Sequence, residues 1–299
     1  MTTSKLGLND DMNQFGELQD LADLFLDAPE SPLSSTAFEA LLALADDEFV
    51  IAHRYSEWLA LSPFLEEDLT LASIAQDEFG HARALYSLIW PAWKERDALV
   101  VRRPPNQWRS APLVEKGNGP WEDLLVRHWL YDLAEEHRWT GIVAQFGTQV
   151  EGLTALGTKV AVEERFHRRH AGDLINRLAQ SSDAATRLDE ALERLRPYCD
   201  GLALGATDSA ALNFSATVAD VCFHDWATSE LGVGAGELRA SSGADHREFG
   251  PGPGSVASGS PAATLPSANG STRTIRSSDF NTIARSLLAV VAFDPTARW

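Results

Sequence analysis

The amino-acid sequence predicts an all-α protein with a four-helix bundle at its centre and additional helices towards the C-terminus. Apolar residues recur at helical spacing through most of residues 37–231, and no strand-like alternation stands out. Two Glu-x-x-His motifs, Glu78–His81 and Glu164–His167, each follow an acidic residue by about one helix length. Paired helices that carry an acid and then such a motif are typical of ferritin-like bundles that bind two metal ions.

The helices are bounded by ordinary start and stop signals. Ser34–Thr36 offer an N-cap for the first helix, and Ser62–Pro63 end it. The Arg- and Pro-containing segment 100–119 is interpreted as an irregular crossover between two helix pairs, which ferritin-like folds have. The predicted helices span residues 37–61, 66–94, 120–149, 152–180, 184–201 and 209–231.

Composition divides the chain into four segments. Residues 1–34 are a loose lead-in, and residues 35–231 form the helical bundle. Residues 232–274 are dense in Gly, Ser, Ala and Pro, and their few large apolar side chains predict a long loop or a disordered insert. Apolar helical spacing returns at Asp279–Phe293, so we expect residues 275–299 to dock on the bundle or on a partner.

The spacing of the acids predicts a metal site in the bundle. Glu48 precedes Glu78 by 30 residues and Glu135 precedes Glu164 by 29, which fits passage up one helix and down the next. Residues three apart share a helix face, so each Glu-x-x-His pair can reach one site. Four carboxylates offset the charge of two divalent ions, and Glu or His ligands suit iron or manganese. The predicted ligands are Glu48, Glu78, His81, Glu135, Glu164 and His167, with Glu78 and Glu164 as bridges.

Neighbouring residues leave the ligand choice partly open. His53 is expected to make a hydrogen bond in the core rather than bind metal, and His170 could form an alternative site with Glu163. The choice of acids also stays open, because Asp47 neighbours Glu48, Glu163 precedes Glu164, and Glu135 is flanked by Asp132 and Glu136.

Composition also excludes some functions. The net charge of −18 argues against a nucleic-acid or anionic-membrane partner. Cys199 and Cys222 form no Cys-x-x-Cys motif, so they cannot hold an iron–sulfur cluster or a structural zinc by themselves. No apolar run reaches the length of a membrane span, and the acidic N-terminal segment lacks an apolar signal core. We therefore expect a cytoplasmic protein.

Three stretches carry a resemblance to a known family: Leu41–Trp58, Glu66–Arg83 and Glu163–His170. Together with the C-terminal helix they resemble the phenylacetyl-CoA epoxidase family, the ring-epoxidising oxygenase of bacterial phenylacetate breakdown. That family has a catalytic bundle subunit with two irons and a structural partner that has lost metal ligands. The His53–Trp58 stretch and the terminal Trp299 are similar to the structural subunit, whereas the ligand set is similar to the catalytic one.

The resemblance implies a di-iron monooxygenase that uses O₂ to oxidise an aromatic or unsaturated acyl-CoA, with phenylacetyl-CoA as the expected substrate. Electrons would come from a separate reductase, and the chain would form a homodimer or pair with a sister bundle subunit. Arg102 and Arg103 would hold a CoA phosphate or belong to a solvated loop. Two alternatives stay open, a non-catalytic structural subunit of a multicomponent oxygenase and an iron-handling protein without an organic substrate.

Overall fold

The computed structural model describes residues 23–91, 100–199, 201–203, 205–206, 208–228, 273 and 276–293. Every regular element within these ranges is helical, which confirms the predicted all-α class. Short 3₁₀ helices cover Pro105–Gln107, Arg196–Tyr198 and Phe223–Thr228. The α-helices are α1 Ser35–Ser56, α2 Leu65–Ile89, α3 Pro112–Glu115, α4 Trp121–Phe146, α5 Leu153–Leu178, α6 Ser182–Leu195, α7 Asp208–Asp220 and α8 Ser278–Phe293.

Helix α1 begins as predicted and ends early. The Ser34 hydroxyl oxygen accepts a hydrogen bond from the Ala37 backbone N–H at 3.4 Å, which makes Ser34 the N-cap. The helix ends at Ser56, whereas the sequence predicted residue 61. Beyond it, Ala60 adopts a left-handed φ of 66°, and the Asp68 carboxylate accepts from its backbone N–H at 3.1 Å. This side-chain contact stabilises a turn where the apolar pattern suggested continued helix.

The later helices follow the predicted order, with shorter ends. Helices α4 and α5 lie within three residues of their predicted bounds. The predicted fifth helix ends at Leu195 rather than at residue 201, because Pro197 lacks the N–H that an α-helix needs, and a 3₁₀ turn follows. The predicted sixth helix also divides, into α7 and the 3₁₀ helix Phe223–Thr228.

The first compact unit comprises the described parts of residues 1–118, 150–156 and 269–299. Helices α1 and α2 pack against each other along their length, and α1 buries Leu41, Leu44 and Ile51 completely. Helix α8 contacts α3 in the same unit, and the Phe280 ring meets Trp108 edge-on at 5.4 Å between centroids. The described part of the segment after the insert therefore packs within this unit.

The second compact unit comprises the described parts of residues 119–149 and 157–268. Helix α4 packs against α6 and α7. An aromatic cluster anchors this packing, with Trp129 edge-on to both Phe223 and Trp226 at centroid distances of 5.7 and 5.4 Å. Each unit thus contains two long helices, α1 and α2 in the first unit and α4 and most of α5 in the second.

Some predictions fall outside the described residues. These are the first part of the lead-in, almost all of the Gly/Pro/Ser-rich insert and the terminal Trp299. Among the described helices, none combines the length and the apolar character needed to cross a membrane.

Candidate metal centre

Three predicted ligands converge in the first unit. Glu48 lies on α1, and Glu78 and His81 lie one turn apart on α2. The His81 Nδ1 atom is 3.5 Å from Glu48 Oε2 and 3.3 Å from Glu78 Oε2, and all three residues are fully buried. The packing of α1 on α2 therefore brings two carboxylates and one imidazole together in a water-excluded interior.

The contacts of Asp46 explain how α1 tolerates a run of buried acids. Asp46 accepts hydrogen bonds from Arg103 Nη2 at 2.5 Å, from the Tyr86 hydroxyl at 2.5 Å and from the Arg109 backbone N–H at 2.6 Å. Burial, followed by the charge of Asp46, holds the pKa of Tyr86 well above its usual range, so the hydroxyl remains a donor. The guanidinium of Arg103 also lies over the Trp108 ring, 4.3 Å from its centroid.

Asp47 pairs with a different arginine from the one that pairs with Asp46. Its carboxylate accepts from Arg273 Nη1 at 2.8 Å and from the Ala111 backbone N–H at 2.5 Å. Each of the three consecutive acids thus meets its own positive group, an arginine for Asp46, another arginine for Asp47 and the imidazole for Glu48. This arrangement favours Glu48 over Asp47 as the metal ligand, although the sequence left both open.

The electrostatics of the cluster fit a divalent cation. Burial, reinforced by the neighbouring Glu78 carboxylate, raises the pKa of Glu48 to about 8. Burial alone would lower the pKa of His81, but the two glutamates outweigh it and raise that pKa to about 12. The cluster therefore retains protons that a metal ion would replace. Two carboxylates and an imidazole are donors that suit iron, manganese or zinc.

The other three predicted ligands lie in the second unit. His167 Nδ1 is 3.3 Å from Glu164 Oε1, and both side chains are almost completely buried. Glu135 is fully buried on α4. The second Glu-x-x-His motif therefore presents its carboxylate and imidazole together on one helix face, like the first.

The neighbouring buried acid of α4 has another role. Asp132 Oδ2 lies 3.0 Å from His128 Nε2 one turn earlier, and both residues are buried. The His128 ring also meets the His170 ring, at 6.0 Å between centroids. Asp132 is thus engaged in a local pair on its own helix.

Two acids next to the predicted ligands in sequence pair with cations. Glu136 forms an ion pair with Arg168, and half of its side chain is exposed. Glu163 accepts from Lys159 Nζ at 2.6 and 2.7 Å, one helical turn away. The pairing of Glu163 with Lys159 does not favour the alternative metal site at Glu163 and His170.

Two further sequence interpretations can be judged from the geometry. His53 Nε2 lies 3.6 Å from Glu57 Oε1 on the same helix, and burial lowers the pKa of the imidazole. Arg103 was expected to bind a CoA phosphate or to lie in a solvated loop, and both readings are wrong because it is 1% exposed and bonded to Asp46. Arg102 donates through Nε to the Leu24 carbonyl oxygen at 2.7 Å.

Sequence reasoning missed the cations that support α1 and a second buried acid. Glu115 accepts hydrogen bonds from Arg276 Nη1 at 2.5 Å, from the Ser110 hydroxyl at 2.8 Å and from the Ser277 backbone N–H at 3.0 Å. The available signal was an excess of arginine and acid in segments otherwise interpreted as irregular, but pairings across 57, 161 and 226 residues cannot be read from spacing.

The fold and these clusters define a class, an all-α protein whose buried carboxylate and imidazole groups are suited to a divalent metal. The chain belongs to the family described as phenylacetic acid catabolic protein, whose model matches residues 27–222. It is also 29% identical over 157 residues to one of the subunits of the 1,2-phenylacetyl-CoA epoxidase of Escherichia coli strain K12. That match covers 52% of this chain and 62% of the relative, so the chain spans less than two thirds of the relative's length.

Proposed function

We propose that this chain is a di-iron carboxylate oxygenase of the phenylacetyl-CoA epoxidase type, acting on an aromatic or unsaturated acyl-CoA in phenylacetate catabolism. Phenylacetyl-CoA is the first substrate to test. Manganese is the alternative metal. A separate reductase would supply the electrons, and the proposed compartment is the cytoplasm. The proposed partners are a second copy of the chain or a sister bundle subunit.

One observation carries the proposal. Glu48, Glu78 and His81 form a fully buried set with ligand atoms within 4.8 Å of one another. A purely structural interior rarely gathers two carboxylates, because burying ionised groups is costly unless a cation compensates them. The two preceding acids are each paired with an arginine, whereas Glu48 and Glu78 meet an imidazole, which is itself a metal ligand, so a divalent ion fits among these three groups.

The proposed ligands for the pair of ions are Glu48, Glu78, His81, Glu135, Glu164 and His167. When bound, a reduced iron pair would supply the electrons and the Lewis acidity needed to activate O₂. The chain's own residues hold the donors in place. The Arg103 and Tyr86 contacts to Asp46 tie α1 to its surroundings, and the burial of the cluster excludes water from it.

The metal content of the purified protein, reconstituted anaerobically with Fe²⁺, tests the proposal. We expect about two ions per chain, and loss of both in a Glu78→Ala/Glu164→Ala variant. The matched control is Asp77→Asn/Glu163→Gln, which changes the acid before each predicted ligand and should bind metal normally. Absence of metal from the wild-type protein, with a native circular dichroism spectrum, would refute the catalytic proposal.

Turnover is the second test. Oxygen consumption and mass analysis of the CoA product would be followed with phenylacetyl-CoA, a reductase and the metal-loaded chain. An oxygenated product from this chain alone, lost in the Glu78→Ala/Glu164→Ala variant, would support the proposal.

A specific observation favours a second candidate, a structural subunit. The similar E. coli protein is a subunit of an epoxidase. In addition, a protonated His81 beside Glu48 and Glu78 can neutralise part of their charge without any metal. Turnover that requires a partner bundle, and survives the loss of metal ligands in this chain, would establish that role instead.

A further inference from the structure

Three metal-ligating side chains meet at the surface of the second unit, apart from the predicted di-metal ligands. Asp189 lies on α6, and Cys222 and His224 flank the start of the 3₁₀ helix Phe223–Thr228. The Asp189 Oδ2 atom is 2.6 Å from His224 Nδ1 and 3.6 Å from Cys222 Sγ. One carboxylate, one thiol and one imidazole therefore share a single small volume that solvent can reach.

A buried aromatic residue fixes the position of this cluster. Phe223 is fully buried against Trp129 and Trp226, so the residues on either side of it are held at the surface. The Phe223 backbone N–H donates to Asp189 Oδ1 at 2.7 Å, which leaves Oδ2 directed towards the thiol and the imidazole. The chain thus supports all three side chains from a rigid core.

The hydrogen bonds around the imidazole indicate a place for a cation. The Thr186 hydroxyl donates to the Ser182 carbonyl oxygen at 2.9 Å, so its oxygen is left to accept from His224 Nε2 at 3.4 Å. With Nε2 turned to the hydroxyl, Nδ1 faces the carboxylate oxygen, and the tautomer of the ring decides which nitrogen carries a proton. Two electron-rich atoms at 2.6 Å require a proton or a metal ion between them.

We propose that Asp189, Cys222 and His224 bind a divalent transition metal, with zinc as the best match, in a site distinct from the predicted di-metal ligands. Tetrahedral zinc with Zn–S of about 2.3 Å and Zn–O of about 2.1 Å separates sulfur from oxygen by about 3.6 Å. The observed separation of the thiol and the carboxylate is 3.6 Å. The 2.6 Å oxygen–nitrogen contact must widen, to about 3.4 Å, through side-chain rotation, and the three ligand atoms already lie within 4.8 Å of one another.

The geometry argues against a nucleophilic cysteine at this site. In a catalytic triad the imidazole lies between the nucleophile and the carboxylate. Here the carboxylate contacts both the thiol and Nδ1, while Nε2 faces Thr186. With three protein ligands and solvent access, a bound zinc would keep a water in its fourth position.

Cobalt(II) titration of the full-length protein tests the site. A thiolate bound to cobalt gives charge-transfer absorption in the near ultraviolet, which the Glu and His ligands of the buried clusters cannot produce. We expect this absorption in the wild-type protein and in Cys199→Ser, which removes the buried thiol. It should be absent in Cys222→Ser, and zinc should displace it.

A second variant and a second readout keep the test decisive. Thr186→Val removes the hydrogen bond to Nε2 and should weaken cobalt binding about tenfold. Zinc should also slow alkylation of Cys222 at least tenfold in the wild-type protein and not in His224→Gln. A folded wild-type protein without the charge-transfer band, or with a band that persists in Cys222→Ser, would overturn the proposal.

Discussion

Asp46→Ala is expected to be among the most destabilising single substitutions in α1. The carboxylate is fully buried and accepts from Arg103, from the Tyr86 hydroxyl and from the Arg109 backbone N–H. Its removal leaves the Arg103 guanidinium buried without its anion. Breaking one partner of a buried ion pair costs about 3–5 kcal/mol.

The expected loss of unfolding free energy in Asp46→Ala can be converted into a change in Tm. At about 2–4 °C per kcal/mol for domains somewhat smaller than this chain, the loss corresponds to a fall in Tm of about 6–20 °C. Loss of the hydrogen bonds from Tyr86 and Arg109 acts in the same direction, but these contacts share one acceptor and their energies do not add.

Denaturant unfolding of the chelator-treated protein measures the effect without a contribution from bound metal. Asp46→Leu/Arg103→Met removes both charges together and should be less destabilised than Asp46→Leu alone, because no buried charge is left without a partner. An exposed acid provides the control, and Glu190→Ala should change stability by less than about 0.5 kcal/mol.

A loss below about 1 kcal/mol for Asp46→Ala would refute the reasoning. The same holds if the double variant is destabilised by the sum of the single effects, since the pair would then contribute no coupling.

Three further predictions concern packing, charge and pH. Gly141→Ala should cost about 1–3 kcal/mol, because the new methyl group would meet backbone atoms of a neighbouring turn, whereas Gly172→Ala meets nothing and should gain up to about 1 kcal/mol in denaturant unfolding. Arg276→Met leaves a buried glutamate without its cation and should cost about 3 kcal/mol, with faster proteolysis near α8; unchanged stability would contradict this. Because burial raises the pKa of Glu48 to about 8 and the glutamates raise that of His81 to about 12, the folded metal-free protein holds protons that the unfolded chain releases. Its stability should therefore fall as pH rises from about 4.5 to 8 and beyond, and a constant or rising denaturation midpoint would contradict this.

Local signals in the sequence predicted most of the helices. The cap at Ser34 and the apolar period of α1 were sufficient for its start, because both act within one or two turns. The end of α1 was predicted wrongly because the turn after it is stabilised by Asp68, which lies on the next helix. Helix propensity is a local property and does not predict a contact with a residue of the next helix.

In the candidate site, too, local features were predictable from the sequence and contacts with distant residues were not. The motif at Glu78 and His81 was visible because its two residues lie one turn apart and share a helix face. The choice between Asp47 and Glu48 was not, because it depends on Arg273, far along the chain. Arg103 was misread for the same reason, since its partner on α1 is 57 residues away in sequence.

The arginine that meets Asp47 has a consequence for biosynthesis. Arg273 is 226 residues downstream of its carboxylate partner. A ribosome therefore releases α1 and α2 long before this counter-charge exists, so water must solvate the Asp47 carboxylate in the meantime. We therefore expect the final closure of the helix pair around Asp47 to be a late event that follows translation of nearly the whole chain. Truncation before residue 273 should accordingly trap a loosely packed form that quality-control proteases recognise.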